Sequence, residues 1–120
     1  MQKILIVDDT KQDLKTGVHL LTRAGYQVST ATDGTDALGK VQNIKPDIIL
    51  LDLIMPGMDG MATLRALKEI IPDTPVVLCT VAGQEPVVRL AMLSGASGVV
   101  IKPYEPDTML RTIRRALGEE

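Results

Sequence analysis

Short continuous apolar runs alternate with helical patterns along the chain, and this alternation constrains the fold more than any other feature. The runs are rich in Ile, Leu and Val without polar interruption, which is typical of strands covered on both faces. Between them, apolar residues recur at helical spacing, as in Leu14, Val18 and Leu21. A strict alternation of strand and helix predicts right-handed crossovers and a parallel sheet with helices on both faces.

The pattern predicts a strand and a helix in turn, five times over. The predicted ranges are β1 3–7, α1 11–24, β2 26–31, α2 34–44, β3 47–51, α3 59–70, β4 75–79, α4 85–93, β5 98–101 and α5 107–117. The second strand alternates polar and apolar residues, so it is the best candidate for a sheet edge. We expect an α/β fold, a (βα)5 flavodoxin-like three-layer sandwich with a parallel sheet of order 2-1-3-4-5, in one domain over residues 1–120.

Composition and charge argue against several classes of partner. The formal net charge of -2 gives no general attraction to nucleic acid or to anionic lipid. No apolar run approaches the roughly 20 residues needed to span a membrane. The first residues lead straight into a strand pattern, so we expect no secretory signal. We therefore expect no direct nucleic-acid partner and no membrane association.

Four of the predicted strands are followed by residues that handle phosphate or a divalent cation. Asp8 and Asp9 follow β1, Asp52 follows β3, Thr80 follows β4 and Lys102 follows β5. Because the carboxyl ends of parallel strands share one edge of a sheet, we expect these side chains to meet in one pocket. Clustered carboxylates raise one another's pKa unless a cation intervenes, and an all-oxygen site with room for water suits Mg²⁺ or Mn²⁺. The pocket therefore predicts phosphoryl chemistry around a divalent cation.

These residues lie in segments that resemble the receiver domain of two-component response regulators, such as the chemotaxis regulators. The segments are Ile4-Leu5-Ile6-Val7-Asp8-Asp9, Asp52-Leu53-Ile54-Met55-Pro56-Gly57-Met58-Asp59-Gly60, Thr80, and Gly95-Ala96 followed by Lys102-Pro103. The resemblance covers the whole chain, and the segment that begins at Asp52 is its most specific part. It implies a cytoplasmic phosphoprotein of a phosphorelay: a switch that catalyses its own phosphorylation and dephosphorylation, and not a turnover enzyme.

The resemblance also implies roles for individual residues. Asp52 would attack a phosphohistidine of a sensor histidine kinase or histidine phosphotransfer protein and become an aspartyl phosphate. Mg²⁺, or Mn²⁺, would be held by Asp9, Asp52 and the backbone carbonyl of Ile54, with Asp8 acting through water. Lys102 would pair with Asp52 at rest and with a phosphoryl oxygen afterwards.

Further positions would support the site and transmit its state. Thr80 would move to hydrogen-bond the phosphoryl group and draw the β4–α4 loop inward, which would change the α4–β5–α5 surface for partner binding. The Lys102-Pro103 bond is expected to be cis, as is common in the family. The supporting positions are Pro56, Gly57, Gly60 and Pro103.

One position departs from the family pattern. Three residues before the lysine, where the family often has Tyr or Phe, this chain has Val99. A valine cannot act as an aromatic switch, so either the output is read from the β4–α4 loop and α4, or Tyr104 has a different role. The partner would be a downstream protein or an output domain absent from this chain. The α4 segment contains few charged residues, which disfavours the symmetric dimer of DNA-binding relatives and predicts a monomer or weak dimer.

Three alternative hypotheses exist, and a feature of the sequence argues against each. A Mg²⁺-dependent phosphatase of the haloacid-dehalogenase type would need an Asp-x-Asp motif, but Asp52 is followed by Leu53-Ile54. A flavodoxin-like cofactor binder would need a phosphate loop after β1, where Asp8 and Asp9 would repel a phosphate. A degenerate receiver that serves only as a protein-interaction module would not need the complete acidic set.

Overall fold

Strands and helices alternate as the sequence predicts. The structure, a computed structural model, describes residues 1–54 and 60–119. The elements are β1 Lys3–Val7, α1 Lys11–Arg23, β2 Gln27–Ala31, α2 Gly34–Ile44, β3 Ile48–Asp52, α3 Gly60–Ile70, β4 Val76–Val81, α4 Glu85–Leu93, β5 Gly98–Lys102 and α5 Pro106–Ala116. Among these described helices, none is long and apolar enough to cross a bilayer.

The five strands form one parallel sheet in the order β2-β1-β3-β4-β5, which confirms the predicted topology. The central strand β3 is buried along its whole length, as its uninterrupted apolar run requires. The edge strand β2 is exposed or half-buried except at Ala31. The chain reverses its direction of winding between β1 and β3, so their carboxyl ends flank the crevice where ligands bind in such sheets.

Two apolar layers hold the helices against the sheet. One layer joins alternate strand residues to α2, α3 and α4, through buried residues such as Val41, Leu67 and Ala91. The other joins the opposite strand faces to α1 and α5, through Leu21 and Ile113 among others. Successive side chains of a strand point to opposite faces, so each buried strand serves both layers.

Three strands continue further than the sequence patterns predict. The ladder between β3 and β4 includes Asp52 paired with Cys79, and the ladder between β4 and β5 includes Val81 paired with Lys102. Hydrophobic periodicity missed these residues because they are polar or lie beside a polar residue. The consequence is functional: Asp52, Thr80 and Lys102 lie on hydrogen-bonded strand backbone rather than on loops.

Some of the helix ends follow ordinary capping rules. The Asp33 carboxylate accepts a hydrogen bond from the Asp36 backbone N–H at 2.7 Å and so caps the N-terminus of α2. Gly25 and Gly95, which follow α1 and α4, have φ values of 100° and 110° and so adopt the left-handed conformation that favours glycine. The predicted start of α3 at residue 59, and the supporting positions Pro56 and Gly57, lie outside the described residues.

Candidate functional site

The carboxyl edge of the sheet brings the predicted polar side chains together. A cavity of about 200 Å³ opens at this edge. The described residues that line it are Thr10, Asp13, Asp52, Ile54, Thr80, Val81 and Lys102. Asp52 and Thr80 are buried, although both line the cavity. A small, polar pocket with buried carboxylate and hydroxyl groups is suited to a small anion or a cation.

Three carboxylates meet beside this cavity. One carboxylate oxygen from each of Asp8, Asp9 and Asp52 lies within 4.8 Å of the other two. Asp8 and Asp52 are buried, whereas Asp9 is exposed. Such an all-oxygen set, open to water on one side, is the kind that binds Mg²⁺ or Mn²⁺ in proteins. The residues present therefore fit the predicted divalent cation.

Backbone hydrogen bonds orient the two buried carboxylates. Oδ1 of Asp8 accepts from the Thr10 N–H at 2.9 Å, and Oδ1 of Asp52 accepts from the Ile54 N–H at 3.1 Å. The second oxygen of each carboxylate, Oδ2, faces the Lys102 ammonium. Each side chain thus has one oxygen held by its own turn and one directed at the centre of the site.

The Lys102 ammonium is surrounded by carboxylates. Its Nζ lies 2.7 Å from Asp8 Oδ2, 2.9 Å from Asp13 Oδ2 and 3.5 Å from Asp52 Oδ2. Burial would lower the pKa of Lys102, but its hydrogen bonds to Asp8 and Asp13 raise the pKa above its ordinary value. The predicted contact with Asp52 is present, yet it is the longest of the three.

The environment of Asp52 makes its ionisation unfavourable. Burial raises the pKa of the carboxyl to about 6, and the nearby Asp8 adds to this rise. The Ile54 N–H and the Lys102 ammonium act in the opposite direction, because both stabilise the charged form. A buried carboxylate beside other carboxylates is therefore a group that gains from a bound cation.

Among the described residues that line the cavity, Asp13 is the charged one that sequence reasoning missed. It is the third residue of α1, where an acidic side chain ordinarily stabilises a helix N-terminus. Its contact with Lys102 joins residues 89 positions apart, so hydrophobic periodicity carried no signal of it. An acidic residue one helical turn after the Asp8-Asp9 pair, on the helix that begins at this edge, was the available sign.

The remaining predicted residues have distinct surroundings. Gly60, the first residue of α3, lies against the backbone of Leu53. Any Cβ atom would overlap that backbone, so only glycine fits at this position. The Lys102-Pro103 bond is cis. Val99 is half-buried on the α4 side of the sheet, and Tyr104 packs in the layer of α1 and α5 on the other side. Tyr104 therefore does not occupy the place of the missing aromatic residue.

The comparisons with known proteins agree with this geometry. A family model described as the response regulator receiver domain matches residues 4–114. The chain belongs to this family. Receiver domains are phosphoacceptor modules of two-component systems, so the membership accounts for an acidic pocket at the carboxyl edge of a parallel sheet.

The CheY proteins among the relatives are similar over nearly their whole length. The chemotaxis protein CheY of Thermotoga maritima is 31% identical over 115 residues, which cover 95% of this receiver domain and 96% of the relative. The CheY protein of Bacillus subtilis is 32% identical over 97% of this chain and 98% of its own. The solved structure of CheY4 from Vibrio cholerae superposes with a TM-score of 0.91 at 35% identity, covering 97% of this chain and 98% of that one.

Proposed function

We propose that this receiver domain accepts a phosphoryl group on Asp52 from a phosphohistidine and thereby switches a surface for a downstream partner. The observation that carries the proposal is the position of Asp52, a buried carboxylate that lines a cavity with Thr80 and Lys102 and lies beside Asp8 and Asp9. Two acids, one nucleophilic carboxylate and an ammonium are the parts that phosphoryl transfer to a carboxylate needs.

The transfer forms one bond and breaks one. A carboxylate oxygen of Asp52 forms the new O–P bond while the P–N bond to the donor imidazole breaks, and the imidazole leaves with the electron pair and takes up a proton. Lys102 offers N–H donors to the phosphoryl oxygens, and the Thr80 hydroxyl offers another. Because Asp52 is the last residue of β3 and its Oδ1 accepts from the Ile54 N–H, both the strand and the turn that follows orient the attacking carboxylate.

We assign the divalent cation to Asp9, Asp52 and the backbone carbonyl of Ile54, with Asp8 acting through water. Bound Mg²⁺ would neutralise negative charge on the transferring group. The chain's own contribution is to hold the carboxylates close together, with Asp8 and Asp52 each oriented by one backbone N–H. Mn²⁺ suits the same oxygen ligands.

We further propose a cytoplasmic phosphorelay as the biological setting. The phosphodonor is a sensor histidine kinase or histidine phosphotransfer protein, and the domain, residues 1–120, works in the cytoplasm as a switch that promotes its own phosphorylation and dephosphorylation. The output is the α4–β5–α5 surface, read by a downstream protein or an output domain, with the chain as a monomer or weak dimer. Membership of a family that includes CheY proteins of similar length supports this reading.

Acetyl phosphate provides the direct test of phosphoryl uptake. We expect intact-mass measurements to show one added phosphoryl group in the presence of Mg²⁺, little with EDTA, and none in Asp52→Asn. Asp73→Asn makes the same charge change in the α3–β4 connection, at the opposite edge of the sheet, and is expected to behave as wild type. A wild-type protein without a Mg²⁺-dependent adduct would falsify the switch and favour a degenerate, interaction-only receiver.

A further inference from the structure

We propose that Asp13 is a positioning residue that holds the Lys102 ammonium toward α1, away from Asp52, and so restrains phosphoryl uptake. The inference rests on the proposed function of Asp52. It concerns a residue that the receiver-domain resemblance did not assign. The arrangement of Lys102 and its three carboxylate neighbours carries it.

The position of Asp13 invites a simpler explanation, which the contacts do not support. An acidic side chain three residues after an N-cap can turn back to the N-cap N–H and close a capping box. Here the N-cap residue is Thr10, and its N–H donates to Asp8 Oδ1 at 2.9 Å. The Asp13 carboxylate accepts instead from Lys102 Nζ at 2.9 Å. Asp13 is therefore joined to the site rather than to its own helix end.

Lys102 lies closer to Asp8 and Asp13 than to Asp52. An ammonium has three N–H donors. Two of them bind Asp8 and Asp13 at 2.7 and 2.9 Å, whereas Asp52 Oδ2 lies at 3.5 Å, longer than an ordinary charge-assisted hydrogen bond. Asp8 and Lys102 side chains are almost fully buried, but Asp13 is 35% exposed. The Asp13 contact is thus the one that solvent can most readily replace.

A phosphoryl group on Asp52 competes with Asp13 for the same ammonium. The group brings three strong acceptor oxygens to the place that Asp52 Oδ2 faces. Asp13 both occupies a Lys102 donor and adds a negative charge near the incoming dianion. Removing the Asp13 carboxylate releases one donor, so Lys102 can approach the phosphoryl oxygens more closely in the transition state.

The test is the rate of phosphorylation by acetyl phosphate at fixed Mg²⁺. We expect Asp13→Asn to raise the initial rate about threefold to tenfold, the size of a typical coupling between contacting groups. Asp13→Glu retains a carboxylate that can reach Lys102 and is expected to remain close to wild type. The remote charge control Asp73→Asn should also remain close to wild type.

Measurements at high salt distinguish positioning of Lys102 by Asp13 from charge repulsion between Asp13 and the phosphodonor. At about 1 M salt the Debye length is about 3 Å, so repulsion between Asp13 and an approaching dianion is largely screened, whereas competition for a direct contact in the pocket is less affected. We expect Asp13→Asn to stay at least about twofold faster than wild type there.

Several results would contradict the role proposed for Asp13. An Asp13→Asn rate equal to or below wild type overturns the restraint, and an increase that vanishes at high salt reduces Asp13 to a long-range charge and overturns it too. An Asp13→Glu variant as fast as Asp13→Asn also contradicts the direct contact. If wild type forms no adduct, the proposed function fails and the inference fails with it, whereas a wild-type adduct with an unchanged Asp13→Asn rate removes the inference alone.

Discussion

At the scale of single residues, the role proposed for Asp52 comes with a cost to stability. The residue is 6% exposed, and its carboxyl lies beside Asp8. Such a charge is tolerated because the Ile54 N–H and Lys102 stabilise it, yet burial outweighs both and raises the pKa to about 6. The proposed nucleophile is thus held where its ionisation is unfavourable without a cation.

This cost predicts a pH-dependent gain in stability for Asp52→Asn. The folded-state pKa of about 6 lies above the unfolded value of about 4. Between these values the folded state binds more protons, so the contribution of Asp52 to the free energy of unfolding falls as pH rises. Asparagine does not titrate and can still accept from the Ile54 N–H. We expect the variant to be about 1–3 kcal/mol more stable than wild type at pH 7.5 in EDTA.

Urea unfolding at a series of pH values measures the effect. The advantage of Asp52→Asn should shrink from pH 7.5 to pH 4, where the wild-type carboxyl is protonated in the folded state. Asp73→Asn, in an exposed turn, is the matched charge control, and the same trend there would point to net charge rather than to burial of Asp52. A stability difference that is the same at pH 4 and pH 7.5, or a variant less stable than wild type at pH 7.5, contradicts this explanation.

At the scale of secondary-structure elements, two glycines inside helices have opposite surroundings. The sequence offers no reason for either, because glycine weakens a helix interior wherever it occurs. In α1, a Cβ atom on Gly17 would lie 3.1 Å from Ile6 Cδ1 and 3.6 Å from Tyr104 Cε2. In α2, a Cβ atom on Gly39 would meet nothing within 4 Å. Gly17 therefore permits close packing of α1 on the sheet, whereas nothing in the structure explains Gly39.

The contrast predicts opposite effects of one substitution. Gly39→Ala should raise the free energy of unfolding by about 0.5–1 kcal/mol, because alanine restricts the unfolded chain and favours the helix. Gly17→Ala gains the same helix propensity but crowds Ile6, and we expect a net loss. Urea unfolding of both variants provides the comparison, and a Gly39→Ala variant no more stable than wild type is the result against it.

The positions of strands and helices were predictable from the sequence, because the burial of each element fixes its own pattern of polar and apolar residues. Sequence patterns predicted every strand of the sheet to within two residues at each end. Burial on both faces gives β1, β3, β4 and β5 continuous apolar runs, and the sheet edge gives β2 its alternation of polar and apolar residues. The strand-end residues Asp8, Asp52, Thr80 and Lys102 were predictable because parallel strands share an edge. The Asp13–Lys102 contact was not, because it joins the first turn of α1, a helix that packs on β1 and β2, to the distant end of β5.

At the scale of the whole molecule, the site and the proposed output surface share a wall. Val81 lines the cavity at Asp52 and also a groove of about 370 Å³ between α4 and β5. Val99, Val88 and Met92 line the same groove. Thr80 precedes Val81 on β4, so a movement of Thr80 toward a phosphoryl group would pull on the residue that separates the two spaces.

The smaller side chain of Val99 changes how such a movement can be transmitted. An aromatic ring can report by rotating between two positions, but valine has few rotamers and no such range. Neighbouring apolar side chains on this face are already exposed, including Leu90, Leu93 and Ile101. We therefore infer that the signal is carried by displacement of β4 and α4 rather than by rotation of a β5 side chain.

This mode of transmission predicts a defined pattern of amide shifts. With acetyl phosphate and Mg²⁺, backbone NMR signals should change at Val81, Val88 and Met92, as well as around the site. Signals of Thr22 on α1 and Gln42 on α2 should change little, because neither residue lines the site or the groove. Wild-type spectra recorded with Mg²⁺ but without acetyl phosphate separate phosphorylation from Mg²⁺ binding.

The Val99→Tyr variant tests the part played by the missing ring. Tyrosine would fill part of the α4–β5 groove and oppose inward movement of Val81, so we expect smaller shifts at Val88 and Met92 for the same degree of phosphorylation. Equal phosphorylation, checked by intact mass, ensures that the comparison concerns transmission and not chemistry. Displacement of β4 must move the residues that line the α4–β5 groove, such as Val88 and Met92. Shifts confined to residues around Asp52 in wild type would therefore contradict transmission from the site to the groove.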